Sequence, residues 1–324
     1  MIEEVIKGLD FEKAYELSRS LPELDEIQIA AILGAMEGKG YDAEIIAGFA
    51  KGIAEKSRID LGRVADTCGT GGDGSATINV STAVALALST IHPVAKHGNR
   101  AISSNSGSAD VLEAMGINIE MNESVAKKMI KDVGFAFLFA PLYHKSFARV
   151  VSVRRKLGIR TIFNILGPLT NPANPKVQIV GVANEGLLSK VAEALSLLNR
   201  RALVVHGSGM DEVSPSNKTT ALLVDKDSIE RIILLPEDFG VKRTKVIPCY
   251  GKEESAERIR AVFNGKGYEE DRTFIGINFA AALYAIGHED LKENMEIFKE
   301  KLESGAFSKK LEEIACKSTS MSVR

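Results

Sequence analysis

The chain has 324 residues, of which 45% are hydrophobic, and its formal net charge is −2 at pH 7. This length and apolar content suffice for a large core and predict one main domain together with a smaller one. Lys and Arg are dispersed along the chain, so the composition lacks the basic face that neutralises a nucleic-acid backbone. We therefore expect neither nucleic acid nor any other polyanion larger than a nucleotide as a partner.

The amino-terminal residues and the cysteines indicate a cellular compartment. Glu3 and Glu4 lie where a secretory signal would have cations followed by an apolar run, and no apolar stretch approaches the ~18 residues of a membrane span. Cys68, Cys249 and Cys316 are widely separated, which favours reduced thiols over a disulfide framework or a zinc site. We expect a cytoplasmic protein with no membrane association and no structural metal.

Residues 1 to about 60 show helical periodicity without strand signals. Asp25 and Gln28 match a capping box, and Asp42 matches a second N-cap. Gly34 and Gly48 interrupt these helices at a cost of roughly 1 kcal/mol each relative to Ala, so close approach of another helix is the expected compensation. The pattern predicts a small packed helical subdomain.

A glycine-rich segment follows the first predicted strand, where residues 66–74 read DTCGTGGDG. Its glycines lack the Cβ atoms that would keep backbone N–H groups away from an anion, and glycine also reaches positive φ. They are Gly69, Gly71, Gly72 and Gly74. Cys68 has no activating base beside it, so we interpret it as a small buried residue rather than a nucleophile. Although an isolated loop of this kind is usually only a turn, its composition permits a phosphate site.

The residues after this loop strengthen the phosphate interpretation. Residues 79–89 alternate small and apolar side chains as a buried helix does, with Asn79, Ser81 and Thr82 at its start. Unpaired N–H groups and hydroxyls at a helix N-terminus suit a phosphate or a diphosphate. Lys96 then supplies a cation after the next apolar stretch, and His97 beside it fits a site role and a structural role equally well. Loop, helix start and strand end are expected to converge on one polyanion.

From residue 64 onward, short apolar runs alternate with helical stretches, which is typical of an α/β domain with a mainly parallel central sheet. The predicted strands cover 64–67, 94–96, 135–139, 177–182, 201–206 and 220–224. Helices are expected over 143–157, 274–286 and 291–302. The predicted fold is thus α/β, a small all-helical N-terminal domain plus a large α/β domain, with a cleft between them as the natural site.

Asp211 and Glu212 are adjacent carboxylates in a glycine-preceded turn after the strand predicted at 201–206. Hard oxygen ligands suit Mg²⁺ that shares its coordination shell with phosphate oxygens and water. A solvated acidic turn is the more usual meaning of such a pair, so the spacing alone leaves both interpretations open.

With these motifs in this order, the sequence resembles the anthranilate phosphoribosyltransferases of tryptophan biosynthesis over nearly its whole length. The matching segments are DTCGTGGDG at 66–74, NVST at 79–82, KHGNR at 96–100, SGSADVLE at 106–113, FAP at 139–141 with His144, VRRKLGIRTIFNILGPLTNP at 153–172 and GMDE at 209–212. The resemblance implies a nucleoside phosphorylase-like phosphoribosyltransferase fold. Its helical domain would comprise residues 1–62 and a returning segment at about 142–170, and its α/β domain residues 63–141 and 171–324. Lys145 departs from the family, which usually has Pro at this position.

The resemblance implies displacement of diphosphate from C1 of phosphoribosyl pyrophosphate by the amine of anthranilate, giving N-(5-phosphoribosyl)anthranilate. Fixed donors and divalent cations around the leaving diphosphate would supply most of the rate. It also implies Mg²⁺ ligands at Asp211, Glu212 and Ser81, with Asp73 assisting through metal-bound water. The residues expected to bind phosphoribosyl pyrophosphate are Gly69, Gly71, Gly72, Asp73, Thr77, Asn79, Ser81, Thr82, Lys96, Asn99 and Ser108.

For anthranilate, the resemblance points to Arg154, whose planar guanidinium can hold a carboxylate through two parallel hydrogen bonds. Arg155 and Lys156 would serve equally by their chemistry, so this choice rests on the family motif Val-Arg-x-x-Leu-Gly. No general base is certain, because the ortho carboxylate of the substrate is itself placed to receive the proton. Further positions expected around anthranilate are Gly69, Asn99 and His97.

The resemblance also implies that the protein forms a homodimer.

Two alternative functions are compatible with parts of this pattern. A pyrimidine nucleoside phosphorylase shares the fold and a similar loop but handles inorganic phosphate and a nucleoside; the KHGNR run and the Asp211-Glu212 pair favour the transferase. A non-catalytic relative that binds nucleic acid would need a basic surface and could lose the acidic pair, and neither property describes this sequence.

Overall fold

A computed structural model describes residues 1–101, 106–226 and 228–321. Its α-helices are α1 (Ile2–Lys7), α2 (Phe11–Ser20), α3 (Glu26–Lys39), α4 (Ala43–Glu55), α5 (Val80–Leu88), α6 (Ser108–Ala114), α7 (Glu123–Val133), α8 (Ala140–Tyr143), α9 (Ala148–Leu157), α10 (Phe163–Leu166), α11 (Leu188–Leu197), α12 (Lys252–Phe263), α13 (Glu269–Ile286), α14 (Leu291–Glu303) and α15 (Ala306–Ser320). Its strands are β1 (Ala65–Gly69), β2 (Val94–Gly98), β3 (Phe135–Phe139), β4 (Val177–Gly181), β5 (Arg201–His206), β6 (Thr219–Asp225) and β7 (Ser228–Leu234).

Helices α1 to α4 form the predicted helical region. Asp25 closes a reciprocal capping box with Gln28, and the Asp42 side chain accepts a hydrogen bond from the Ile45 N–H, so both predicted caps are confirmed. The expected close approach is confirmed at Gly48, where a Cβ would meet backbone and side-chain atoms of α2. The same expectation is wrong at Gly34, where an added Cβ would have no neighbouring atom within 4 Å.

The strands form one sheet in the order β3-β2-β1-β4-β5-β6-β7. Neighbouring strands from β3 to β5 run parallel, whereas β6 is antiparallel to β5 and β7 to β6. The mainly parallel sheet and all six predicted strands are therefore confirmed, with ends shifted by no more than two residues. Strand β7 was not predicted, because this edge strand is largely exposed and its SIERIIL sequence offers no buried apolar run.

Two hydrophobic clusters cover the two faces of the sheet. Successive residues of β4 and β5 alternate between them, as side chains of a strand must: Ile179 and Leu203 contribute to one cluster, Val180 and Val204 to the other. The first cluster contains residues of α5, α7 and α12 to α15, and the second contains residues of α1 to α4, α9, α10 and α11. The second cluster thus continues from the amino-terminal helices to the sheet.

The segment predicted as helical at 143–157 forms α9, which contacts α3. The division of the chain at residues 62, 142 and 170 into two domains stays a prediction. Among the described residues, no helix is both long enough and apolar enough to cross a membrane.

Candidate active site

The carboxyl ends of the parallel strands carry the predicted site residues. The strand order reverses direction between β1 and β4, and the loops after β1, β2 and β5 all leave the same edge of the sheet. In open α/β sheets, ligands bind in the crevice at such a switch point. The topology therefore brings together segments that are more than 100 residues apart in the sequence.

The glycine loop after β1 has the backbone conformation that its composition predicts. Gly71, Gly72 and Gly74 have φ values of 66°, 77° and 73°, and no neighbouring atom lies within 4 Å of the position of an added Cβ. A side chain would be strained in this left-handed region, whereas glycine adopts it freely. Gly71 and Gly72 are exposed, so an anion can approach the loop, although the Gly71 N–H already has an acceptor in Asp211 Oδ2.

The acidic turn after β5 lies against this loop. The Gly71 N–H donates to Asp211 Oδ2 at 2.7 Å, the Asp211 N–H donates to Asp73 Oδ2 at 3.3 Å, and Thr77 Oγ1 donates to Glu212 Oε1 at 3.1 Å. Carboxylate oxygens of Asp73, Asp211 and Glu212 all lie within 4.8 Å of one another. The structure thus places Asp73, which was expected to assist through metal-bound water, directly beside the Asp211-Glu212 pair, and it joins the anion loop to the acidic cluster.

The electrostatics of the acidic cluster favour a bound cation. Burial, together with the neighbouring Asp73 charge, raises the pKa of Asp211 to about 6. Burial and the charges of Asp211 and Asp73 raise the pKa of Glu212 well above its ordinary value. Glu212 Oε2 is buried and has no hydrogen-bond partner among the described residues. Crowded carboxylates with an unsatisfied oxygen fit the hard-ligand chemistry of Mg²⁺.

Three glycines make room for the acidic turn. A Cβ at Gly69 would collide with the Asp211 side chain, one at Gly181 with the Asp211 main chain, and one at Gly207 with the Glu212 main chain. Gly69 was predicted as a substrate contact, and here it also packs against Asp211. Gly181 and Gly207 were not predicted, although each is a glycine at or directly after a strand end, which is a signal of close backbone approach.

Lys96 is buried beside the start of α5. Its Nζ donates to the Thr67 carbonyl at 2.6 Å and to Ser81 Oγ at 3.4 Å, while Thr67 Oγ1 donates to the Ser81 carbonyl at 2.7 Å. Thr82 Oγ1 is buried with no partner among the described residues. The predicted convergence of Lys96 on the start of α5 is confirmed. Among the described contacts, the Lys96 ammonium and the hydroxyls of Ser81 and Thr82 each keep a donor for a ligand.

Asn99 and Ser108 lie next to each other after β2. Ser108 Oγ donates to the Asn99 carbonyl at 3.5 Å, and the Ala109 N–H donates to the same carbonyl at 3.2 Å. Gly98 permits this contact, since a Cβ there would collide with Ser108 Oγ. The start of α6 is thereby held against the end of β2.

Arg154 on α9 is half-buried and held in place by its neighbours. Its Nε donates to Thr161 Oγ1 at 3.2 Å, its Nη2 donates to Asn164 Oδ1 at 3.4 Å, and its guanidinium lies 5.2 Å from the centre of the Phe163 ring. None of these described contacts connects Arg154 directly to His97 or Asn99. Burial lowers the pKa of Arg154, which still remains a cation at neutral pH.

His97, which is buried, and His144, which is half-buried, lie with their ring centres 5.2 Å apart. Their Nδ1 atoms hydrogen-bond to the Gly167 carbonyl at 3.2 Å and to Ser57 Oγ at 3.0 Å, respectively. Both Nε2 atoms are buried without a partner among the described residues. Burial lowers the pKa of His97 to about 3 and that of His144 to about 4, so both rings are neutral at pH 7.

The environment of Cys68 disfavours the thiolate form that a nucleophile needs. Burial raises the pKa of its thiol to about 12, so the reactive thiolate is scarcely populated at neutral pH. The expectation of a fully buried side chain is not met, because Cys68 is half-buried, but the high pKa agrees with its interpretation as a residue other than a nucleophile.

Comparisons with known proteins show the family of this chain. Residues 61–307 match the model of the glycosyl transferase family, a/b domain. The chain is 70% identical over 321 residues to the tryptophan biosynthesis protein TrpCD of Archaeoglobus fulgidus, covering 99% of this chain and 59% of that protein. It is 54% identical to the anthranilate phosphoribosyltransferase of Pyrococcus furiosus, covering 99% of this chain and 100% of the relative.

Solved structures give the same result. Anthranilate phosphoribosyltransferase (TrpD) from Thermus thermophilus superposes with a TM-score of 0.91 at 36% identity, covering 98% of this chain and 99% of that one. The Saccharomyces cerevisiae enzyme, solved in complex with PRPP and Mg, gives a TM-score of 0.90 at 30% identity, covering 98% and 97%. The chain belongs to the glycosyl transferase family with this α/β domain and, within it, to the anthranilate phosphoribosyltransferases.

Proposed function

We propose that this chain transfers the 5-phosphoribosyl group from phosphoribosyl pyrophosphate to the amine of anthranilate and releases diphosphate. The observation that carries the proposal is the hydrogen bond from the Gly71 N–H to Asp211 Oδ2, because it joins an anion-binding loop to a cluster of carboxylates. A diphosphate leaving group needs both backbone donors and cations, and here a glycine loop and the carboxylates that would hold a cation lie at the same edge of the sheet.

The phosphoribosyl pyrophosphate site is proposed to include the glycine loop, the start of α5 and the end of β2. The backbone at Gly71 and Gly72 is exposed, and Lys96 brings a buried cation to Ser81. The remaining residues proposed to contact this substrate are Gly69, Asp73, Thr77, Asn79, Thr82, Asn99 and Ser108. Their fixed donors would stabilise the negative charge that grows on the diphosphate as the C1–O bond breaks.

We propose Asp211 and Glu212 as Mg²⁺ ligands, with Ser81 as a further ligand and Asp73 acting through water. In support, three carboxylates lie together, Glu212 Oε2 lacks a partner among the described residues, and the yeast relative was solved with PRPP and Mg. Bound Mg²⁺ would neutralise charge on the diphosphate and so favour its departure. The carboxylates would orient the phosphate loop, since Asp211 already accepts from the Gly71 N–H.

The anthranilate carboxylate is proposed to bind Arg154, with Gly69, His97 and Asn99 lining the same site. Support comes from the guanidinium, which Thr161, Asn164 and Phe163 hold in one orientation. The yeast enzyme was also solved with 4-fluoroanthranilate. The low pKa values of His97 and His144 make both rings weak bases, which supports proton transfer to the substrate's own carboxylate rather than to a protein side chain.

Two further properties are part of the proposal. A homodimer would cover exposed apolar side chains on the contacting helices α1, α3 and α9, among them Ile6, Ile27 and Val151. The cytoplasmic location stays a prediction.

The two alternative functions are not favoured. The relatives compared above are phosphoribosyltransferases or tryptophan biosynthesis proteins, not nucleoside phosphorylases or nucleic-acid-binding proteins.

The experiment that tests the function follows anthranilate fluorescence after mixing the chain with anthranilate, phosphoribosyl pyrophosphate and Mg²⁺. We expect Mg²⁺-dependent loss of anthranilate that a chelator abolishes. The double variant Asp211→Asn/Glu212→Gln is expected to lose at least about a hundredfold in kcat/KM, since it removes two metal-binding charges. Cleavage of thymidine by inorganic phosphate, without any consumption of anthranilate, would favour the phosphorylase instead.

A further inference from the structure

The Asn79 side chain connects three segments of the α/β domain. Asn79 directly precedes α5, yet its side chain makes no capping hydrogen bond to that helix. Its Oδ1 instead accepts from Ser106 Oγ at 2.7 Å and from Ser255 Oγ at 3.1 Å, and its Nδ2 donates to the Ser106 carbonyl at 3.4 Å. The end of the glycine loop is thus joined to the segment before α6 and to α12.

Ser255 makes a paired contact with Asn79. The Asn79 N–H donates to Ser255 Oγ at 2.9 Å, and the single hydroxyl proton of Ser255 goes to Asn79 Oδ1. Because only the amide oxygen accepts hydrogen bonds, the two hydroxyl donors fix the orientation of the amide. The second N–H of Asn79 Nδ2 is then left for an acceptor outside this network. Ser255 itself is fully buried, with 0% of its surface exposed.

Arg258, on the same helix, holds the chain that contacts Ala76, which lies three residues before Asn79 on the same side of the glycine loop. Its guanidinium pairs with Asp271, at 2.8 and 2.6 Å, and donates to the carbonyls of Ile247 and Pro248. The next residue, Cys249, donates its N–H to the carbonyl of Ala76 at 2.7 Å. Ala76 has a φ of 48°, an uncommon conformation for a residue other than glycine. The glycine loop is thus supported from residues 247–258 at two points, Ala76 and Asn79.

We propose that Ser255 is a positioning residue for phosphoribosyl pyrophosphate: its two hydrogen bonds with Asn79 set the junction between the glycine loop and α5 in the geometry that binds the diphosphate. The inference rests on the proposed function. A loop held in its binding conformation before the ligand arrives loses less conformational freedom on binding, so affinity for that ligand is higher. Ser255 touches Asn79 and acts through it, not on the reacting atoms.

The test compares Ser255→Ala with Ser318→Ala. Ser318 is a matched control because it is also fully buried on a carboxy-terminal helix and also accepts a backbone N–H from another segment, that of Asn118 at 3.1 Å. For Ser255→Ala we expect KM for phosphoribosyl pyrophosphate to rise about tenfold, KM for anthranilate to stay within about twofold, and kcat to fall less than KM rises. Ser318→Ala should lose comparable thermal stability and keep both KM values.

A normal KM for phosphoribosyl pyrophosphate in Ser255→Ala, or an equal rise in Ser318→Ala, would overturn the positioning role. Ser255→Cys preserves the side-chain volume but hydrogen-bonds weakly, so it is expected to give an intermediate KM and offers a second folded variant. Wild-type turnover separates the two proposals. If the wild-type chain fails to consume anthranilate, the proposed function fails, and calorimetric titration of phosphoribosyl pyrophosphate with Mg²⁺ into the same variants still decides the role of Ser255.

Discussion

The guanidinium of Arg154 donates hydrogen bonds to Thr161 and Asn164 and lies 5.2 Å from the centre of the Phe163 ring, so its orientation is fixed. Lysine would keep the charge but lose both the plane and the paired donors. We therefore expect Arg154→Lys to raise KM for anthranilate by about 10- to 100-fold, which corresponds to ~1.5–3 kcal/mol for a charged hydrogen-bonding group. KM for phosphoribosyl pyrophosphate should change little.

Arg155→Lys is the matched control for this prediction, since Arg155 is the exposed neighbour on the same helix. It should leave both KM values unchanged. Steady-state kinetics with each substrate varied in turn separates the two variants. An unchanged anthranilate KM in Arg154→Lys would remove Arg154 from the site.

His144 gives a prediction about acid stability. Its folded pKa of about 4 lies below the ordinary 6.5 because the ring is buried. Between these values the unfolded chain binds a proton that the native chain does not, so this contribution to the free energy of unfolding is complete above pH 6.5 and is lost as pH falls toward 4. We expect His144→Gln to reduce the pH dependence of unfolding in this window by about 1–3 kcal/mol.

The measurement is urea unfolding at several pH values in the presence of a chelator. His288→Gln serves as control, because it makes the same chemical change at an exposed histidine. We also expect His144→Gln to retain turnover at saturating substrates. Complete loss of turnover, with both substrates still bound, would instead make His144 the missing base.

At the scale of elements, two helical glycines behave oppositely. An alanine Cβ at Gly34 in α3 would meet no atom within 4 Å, whereas one at Gly48 in α4 would collide with the Phe11 carbonyl and the Ala14 side chain of α2. Gly34→Ala should therefore stabilise the protein by about 0.5–1 kcal/mol through helix propensity. Gly48→Ala should destabilise it by about 1–3 kcal/mol, because α2 and α4 must move apart.

Thermal or urea unfolding of the two variants beside the wild type measures this difference. Each variant controls for the other, since the chemical change is the same and only the packing differs. A Gly48→Ala protein as stable as Gly34→Ala would mean that α2 and α4 do not pack as closely as described.

At the scale of the whole molecule, the exposed isoleucines of the amino-terminal helices predict self-association. Ile27 on α3 is 82% exposed and Ile6 on α1 is 64% exposed, and α1 and α3 contact each other. Burying such side chains against a second copy would contribute about 1.5–3 kcal/mol for each. We expect the wild type to sediment as a dimer and Ile27→Asp to shift it toward monomer.

Ile233→Asp is the control for the dimer, because Ile233 is also exposed, at 45%, but lies on the edge strand β7. It should sediment like the wild type. A monomeric wild type at micromolar concentration would contradict the prediction, and loss of the dimer in Ile233→Asp instead would move the interface to the sheet edge.

The sequence by itself determined the features that depend on neighbouring residues. The caps at Asp25 and Asp42, the positive φ of Gly71, Gly72 and Gly74, and the six predicted strands all follow from short-range patterns. The family was also recognisable, because its motifs occur in order along one chain. Each of these signals lies within a few residues of the structure that it specifies.

Only the tertiary structure decided which distant groups share one place. It set Asp73 beside Asp211, put Gly181 and Gly207 against the acidic turn, and paired Ser255 with Asn79. It also added β7 as an antiparallel edge and left Gly34 without a close neighbour. Such contacts depend on the strand order and on how helices pack across the sheet. A glycine at a strand end signals that some backbone comes close to it, but neither a glycine nor a serine shows which distant segment that is, so the partners of these contacts leave no short-range pattern in the sequence.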